Sequence, residues 1–342
     1  MMTLVKRYPL IAAAKVVLAA SLMWFLIHAG KLNTAAVAAA WRHWPALLAG
    51  LLLLYVQLAI GAWRWNLLLE VQGVRLPLSK AFSLTMIGAL FNIIVPGSVG
   101  GDVIKGYYVS RCTFDRKAHA VTTVLVDRIV GLLGMLALAV FAGFFDWSVV
   151  RSNRTFTSLF VFAAGSLLTG GLVVWLSLAA TQRSAAAVER LAHRLPGSAV
   201  ISRVIESLLE YRDRPRVVLQ AIAVSSVAQA LGCLAFYLSA SALGYTDIPI
   251  RSCLLVVPLG LVATAIPVSP GGIGVGQAAF YALFTLVPGA TGAMGANICT
   301  VFQCLTLLMN LTGLVFYLTY KRESEREGFR GPASVAEAAA EG

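Results

Sequence analysis

Charged side chains are scarce in this chain. They make up 12% of its 342 residues, against 59% hydrophobic ones, which is more apolar surface than one globular core of that length can hide. The scarcity excludes an ordinary soluble domain and predicts a polytopic membrane protein. Histidine is rare too: His28, His43, His119 and His193 are scattered, with no H-E-x-x-H or paired ligand spacing, so no metal site is expected. The five cysteines, Cys112, Cys233, Cys253, Cys299 and Cys304, are odd in number and lie mostly in apolar runs. They read as small buried residues and not as a disulfide framework. A phosphate-binding G-x-x-x-x-G-K-[ST] loop is also missing, so no nucleotide or other cofactor is expected.

The charge that is present has mainly one sign. A formal net charge of +12 would suit nucleic acid if it formed one solvated face. Here the lysines and arginines sit at the edges of apolar segments, which makes anionic headgroups the expected partner and nucleic acid not.

Six stretches read as full spans: Pro9 to His28, Trp44 to Trp63, Ala118 to Phe145, Phe156 to Ala180, Val218 to Leu243 and Thr291 to Tyr320. The first follows Lys6 and Arg7 and admits a cleaved signal peptide, but its length favours a retained helix. Between the spans lie shorter apolar pieces, about Ser79 to Val95 and Ser252 to Ile266. Each ends in a Pro/Gly-rich break, IVPGSVGGD at Ile94 to Asp102 and IPVSPGGIGVGQ at Ile266 to Gln277. A 15-residue arm reaches only about 22 Å, short of a hydrocarbon core of roughly 30 Å. Each break therefore reads as the tip of a re-entrant helical hairpin, with Pro96, Gly97, Gly100 and Gly101 in the first and Pro270, Gly271, Gly272 and Gly274 in the second.

With the N-terminus inside, most lysines and arginines fall on one side, including Arg64, Arg75, Lys80, Arg111 and the arginines from Arg183 to Arg216. Lys31, Arg42, Arg151, Arg154 and Arg251 are left outside. The positive-inside bias supports cytoplasmic N- and C-termini. The two hairpins then enter from opposite sides, so units of about 44–145 and 218–320 form an inverted-topology repeat, the arrangement that underlies alternating access. The predicted fold class is an all-α polytopic membrane protein, with about six full transmembrane helices and two re-entrant hairpins. Residues 1–322 form one integral membrane domain. A linker at about 181–216 reads either as amphipathic helices on the inner membrane surface or as a solvated connector, and 323–342 as a disordered tail.

The chemistry gathers at the first break. Gly100 and Gly101 open a short helix at Asp102, whose free N–H groups and nearby Lys105 would attract an anion such as phosphate. Asp102 reads equally well as a helix cap. Asp127 and Arg128 lie about ten residues into the next span, a depth at which ionisable groups are functional candidates. Neighbouring helical residues point about 100° apart. Arg128 is therefore expected to face Asp102 or a bound anion, and Asp127 to face Lys105 or a neighbouring arginine. A purely structural network bracing the hairpin is the competing reading. At the second break the polar groups are neutral: Ser269, the glycines from Gly271 to Gly276, and Gln277. The expected substrate-binding set is Asp102, Lys105, Asp127, Arg128, Ser269 and Gln277, with no catalytic residue. Gly274-x-Gly276-x-x-Ala279 matches a dinucleotide fingerprint only formally, since no strand precedes it and no acid follows at the required distance.

FNIIVPGSVGGDVIKGYYVSR, the DRIVGLLG run from Asp127 to Gly134, and IPVSPGGIGVGQ together resemble the transmembrane flippase-domain family of bacterial lysylphosphatidylglycerol synthetases, which also contains many stand-alone membrane proteins. The resemblance extends from about Leu10 to Tyr320. It maps the family's motif residues onto Pro96, Gly100, Gly101, Asp102, Asp127 and Arg128, and onto Pro270, Gly271, Gly272 and Gly274. Lys105 stands where arginine is frequent, keeping the charge without the bidentate fork. The resemblance implies a multi-pass protein of the bacterial cytoplasmic membrane, a stand-alone member without the soluble synthetase domain. Its implied role is a flippase or transporter of an anionic phospholipid or a polyprenyl-phosphate-linked lipid. The alternatives are an enzyme or membrane subunit of a lipid-linked glycan or lipid-modification pathway, or a scaffold for the biosynthetic enzymes of such a pathway.

Overall fold

The computed structural model describes residues 8–94, 100–112, 117–179, 205–264, 269 and 272–326, and it holds no strand among them. The helices are α1 Tyr8–His28, α2 Thr34–Ala40, α3 Trp44–Val71, α4 Leu78–Ile94, α5 Gly100–Arg111, α6 Lys117–Phe145, α7 Trp147–Ser152, α8 Arg154–Ala179, α9 Pro215–Ala242, α10 Ile250–Thr264, α11 Val275–Phe284 and α12 Gly292–Arg326. Five long apolar stretches, those of α3, α6, α8, α9 and α12, have the length and hydropathy of membrane spans. α1, at 21 residues, is about 31 Å long and also reaches across a hydrocarbon core. The chain is a multi-pass membrane protein.

The four arms of the two breaks are shorter. α4 and α5 have 17 and 12 residues, α10 and α11 have 15 and 10, or about 15 to 26 Å each. Only paired as hairpins do they suit a bilayer. Of the tip residues, Gly100, Gly101, Gly272 and Gly274 are described, while Pro96, Gly97, Pro270 and Gly271 lie outside the described residues.

α3 and α9 form the axis of the molecule. Gly50 lies beside Ala235 and Leu238, Gln57 bonds Gln229 at 3.5 Å, Arg64 bonds Ser225 at 2.8 Å, and the Tyr211 hydroxyl donates to the Leu68 carbonyl at 3.2 Å. Partner numbers fall as α3 numbers rise, so the first long helices of the two halves run antiparallel. They also end alike. Gly73 and Gly244, each the second residue past its helix, take φ of +71° and +79°, the left-handed region that glycine occupies without a Cβ penalty. The next residue then reaches back, Val74 N–H to Leu69 O and Tyr245 N–H to Ala240 O, each at 3.0 Å.

The hairpins consequently enter from opposite ends. At the base of the first, the Phe82 and Tyr108 rings pack against Phe316 and Tyr320 near the end of α12. At the base of the second, Ser252 donates to Asp146, just past the end of α6, at 2.5 Å, and Arg251 pairs with the same carboxylate at 3.4 Å. The flanking spans are exchanged between halves: α1 precedes the first half but lies against Gly274 of the second hairpin, and α8 precedes the second half but packs Phe160 on Gly143 of α6. The expected inverted repeat is therefore drawn in the contacts themselves.

Three expected boundaries move. The span expected to end at Trp63 continues to Val71, because the Arg64 side chain finds partners inside the protein instead of ending the helix at an interface. The last helix continues to Arg326, past Tyr320 where the span was expected to end. Of the 181–216 linker, 205–209 is helical and docks: Leu208 and Tyr211 are buried among Leu68, Val126, Val130 and Val218. Its residues 181–204 lie outside the described residues.

Cysteine placed at Ser79 or Asp247, exposed positions near the bases of the two hairpins, tests the inversion. In a cysteine-free background an impermeant maleimide should label Ser79→Cys from one membrane face and Asp247→Cys from the other. Labelling of both from one face contradicts it.

Candidate functional site

α5 can lie close on α4 because Gly101 has no side chain: a Cβ there would overlap the Gly88 carbonyl and the Asn92 amide. Asn92 Oδ1 also accepts the Gly101 N–H at 2.9 Å. The helix start expected to offer free N–H groups is thus partly capped from within the hairpin. The close approach carries Lys105, a turn further on, into the protein interior, where it is 6% exposed.

There Lys105 meets Asp127 and a residue that the sequence had assigned to the membrane surface. Asp127 Oδ1 accepts from Arg64 Nε at 2.9 Å and Asp127 Oδ2 from Lys105 Nζ at 3.4 Å. Arg64 Nη1 also donates to Ser225 Oγ of α9 at 2.8 Å, joining the two halves. The Lys105 ammonium stands 3.8 Å from the centre of the Trp65 ring, a cation–π contact strengthened by desolvation. The Trp65 indole is itself held by a 3.0 Å bond to Thr123. Every polar group of this buried cluster has a partner, as a low-dielectric setting requires. Arg128, one residue on from Asp127 and rotated about 100° around the helix, instead donates to the Asp102 carboxylate.

Arg64, Lys105 and Asp127 form part of the wall of a cavity of about 320 Å³ between the halves. Gln57, Gln229, Thr85 and Thr306 add neutral polar groups, and Leu54, Leu58, Phe302 and Met309 give it an apolar side. Two cations face one carboxylate, so this part of the wall carries a net positive charge. Of the six expected binding residues, Lys105 and Asp127 line this cavity. Asp102 and Arg128 pair with each other. Ser269 is buried, with an Oγ that bonds nothing among the described residues. Gln277 is engaged on both amide atoms: Oε1 accepts the Gly274 N–H at 2.7 Å, and Nε2 donates to Gln303 at 2.7 Å and Thr300 at 3.3 Å.

The second half fills the equivalent place with rings. Gly88 faces Lys105 across the first hairpin, and Gly260 faces Phe280 across the second. Phe280 lies 4.7 Å from Phe236 of α9, and Phe236 lies 5.5 Å from Phe302 of α12. The elements that supply Arg64, Lys105 and Asp127 in one half supply Phe236, Phe280 and Phe302 in the other. The charged part of the wall belongs to one repeat only. Arg64 was the residue that sequence reading missed, and its signal was an arginine between Trp63 and Trp65 inside a continuous apolar run.

Removing Asp127 would leave two cations buried with no counter-charge. Asp127→Ala is expected to destabilise the purified protein by about 3–5 kcal/mol, whereas Arg42→Ala, at an exposed position, should stay within about 0.5 kcal/mol. Thermal or denaturant unfolding in detergent measures both. Equal stability of the two variants would contradict the ion-pair assignment.

No curated protein and no solved structure matches the chain. The family model described as "Lysylphosphatidylglycerol synthase TM region" matches residues 12–313, nearly the whole of the membrane domain and every residue of the charged cluster. A function connected with membrane lipids follows from that match. The chain belongs to the lysylphosphatidylglycerol synthase transmembrane-region family.

Proposed function

We propose that the protein is a lipid transporter that moves an anionic headgroup across the bilayer through the cavity between its two inverted halves. The observation that carries this reading is the Arg64–Asp127–Lys105 cluster on the wall of that cavity. A cavity of about 320 Å³ lies at the small end of the ~300–1,000 Å³ range of ligand sites. It has room for a phosphate-bearing headgroup, and the acyl or prenyl chains stay in the bilayer beside it.

The residues then have distinct tasks. A phosphate entering the cavity competes with Asp127 for Arg64 and Lys105 and takes over hydrogen bonds already aimed at an oxygen anion. Asp127 keeps the two cations oriented and their mutual repulsion offset while the site is empty. The apolar side, with Leu54, Leu58, Phe302 and Met309, accommodates the glycerol or isoprenoid carbon next to the phosphate. An anionic phospholipid and a polyprenyl-phosphate-linked lipid share this chemistry. The setting we infer is the cytoplasmic membrane with both termini inside, in line with the one-sided distribution of lysine and arginine. Transport, and not chemical conversion, is the assigned activity.

Reconstitution tests the reading directly. In liposomes the purified protein should move a labelled anionic lipid between leaflets with its mass unchanged, and a neutral lipid with the same tails more slowly. Lys105→Ala and Arg64→Ala should each slow the anionic lipid by about tenfold or more, the loss of one charge-assisted hydrogen bond of ~1.5–3 kcal/mol. Movement no faster than in protein-free liposomes would overturn it. A changed lipid mass would replace it with an enzymatic role.

A further inference from the structure

The two helices at the axis, α3 and α9, have the same length, 28 residues, and end on glycines in the same conformation, Gly73 and Gly244. Counting back from those glycines sets one helix in register with the other. Gly61 of α3 and Gly232 of α9 each stand twelve positions before the closing glycine, and Gln57 and Ala228 each stand sixteen before it. Across the axis the Gln57 amide covers Gly232, its nitrogen and oxygen both 2.8 Å from where a Cβ would lie. The pseudo-twofold relation between the halves carries that contact onto Ala228 and Gly61. There the covering side chain is cut short, because alanine stands where the first half has glutamine. A Cβ at Gly61 would have nothing within 4 Å among the described residues. Both Gly61 and Ala228 line the cavity.

We propose that Gly61 and Ala228 determine how large a headgroup the cavity admits. Between them they leave out the side chain that fills the matching place in the other half, and the space so kept takes the part of the headgroup beyond its phosphate. This assignment rests on the transport reading. Glycine inside a helix costs stability relative to alanine, and the other glycine of α3 has a packing reason for that cost: Gly50 lies against Leu305 and Ala235. No described neighbour accounts for Gly61 in that way. It stands one turn after Gln57 and one turn before Arg64, on the face of α3 that forms the cavity wall. The neutral groups of that wall, Gln57, Gln229, Thr85 and Thr306, offer donors and acceptors suited to hydroxyls. The ligand class is therefore an anionic lipid whose phosphate is esterified to a polyol.

Two measurements test the assignment, one of them without lipid. In the full chain with its native cysteines replaced by alanine, Gly61→Cys should react with the anionic reagent sulfonatoethyl methanethiosulfonate. Adding Ala228→Gln, which installs the counterpart of Gln57, should slow that reaction by about tenfold or more and leave the labelling of Ser79→Cys within about twofold. An unreactive Gly61→Cys, or one indifferent to Ala228→Gln, overturns the assignment of the space. In liposomes, Ala228→Gln and Gly61→Leu should each slow a labelled phosphatidylinositol about tenfold or more beyond any slowing of a labelled phosphatidic acid, which presents its phosphate alone. Gly61→Leu fills the space from the other helix, so the comparison survives if one variant fails to fold. Equal slowing of both lipids, or of neither, overturns selection by size. Both lipids are anionic, so that result leaves the transport reading standing. A parent that moves neither lipid ends the transport reading and the selection together, and the thiol labelling then still decides whether the space is there.

Discussion

Two cations buried beside one carboxylate set the terms for the first half of this protein. Arg64 and Lys105 stand on different helices, α3 and α5, and both converge on Asp127 of α6. Burial of a charge costs several kcal/mol unless it is paired and hydrogen-bonded. Those three elements consequently cannot separate without stranding charge in an apolar interior. The same cluster reaches α9 through the Arg64–Ser225 bond, so the half that bears the charge is tied to the half that lacks it. A neutral core would pack as well, as Phe236, Phe280 and Phe302 demonstrate in the second repeat. The expense of a charged core in the first repeat is intelligible if an anion is handled there.

Much of the architecture was legible in the letters because the membrane leaves few options. A backbone in hydrocarbon must bond internally, so apolar runs become helices, and Pro/Gly breaks at depth become hairpin tips covered by protein. The lengths of the arms and the distribution of positive charge then implied opposite entry, and the antiparallel α3–α9 contacts agree. The adjacent Asp127 and Arg128 were assigned different partners from helical geometry alone, and each has the kind of partner expected: Lys105 and an arginine for one, Asp102 for the other.

What the letters concealed was which side chains meet across helices far apart in sequence. Arg64 lies between two tryptophans near the end of an apolar run, where an interfacial arginine is the ordinary reading. Only the continuation of α3 to Val71 places it inside the protein. Gln277 looked available as a polar group beside an open helix start, yet its side chain is what closes that start by accepting the Gly274 N–H. Asn92 does the corresponding work for Gly101 in the first hairpin. Helix starts at membrane depth attract anions only as far as their N–H groups are free, and here the chain itself supplies part of the cap.

The repeat is therefore symmetric in backbone and asymmetric in chemistry. Glycines at matching positions give both hairpins the same close packing, as Gly88 and Gly101 do in one and Gly260 and Gly276 in the other. Onto that shared frame the sequence puts ions in one half, and rings and amides in the other. If both halves carried the charged cluster, two further cations and a carboxylate would be buried, at a desolvation cost of several kcal/mol per ion. If neither did, the cavity wall would carry no charge. One charged half against one aromatic half avoids both conditions, and it leaves Gln57 and Gln229, the neutral pair bonded across the axis, as the place where the two kinds of wall meet.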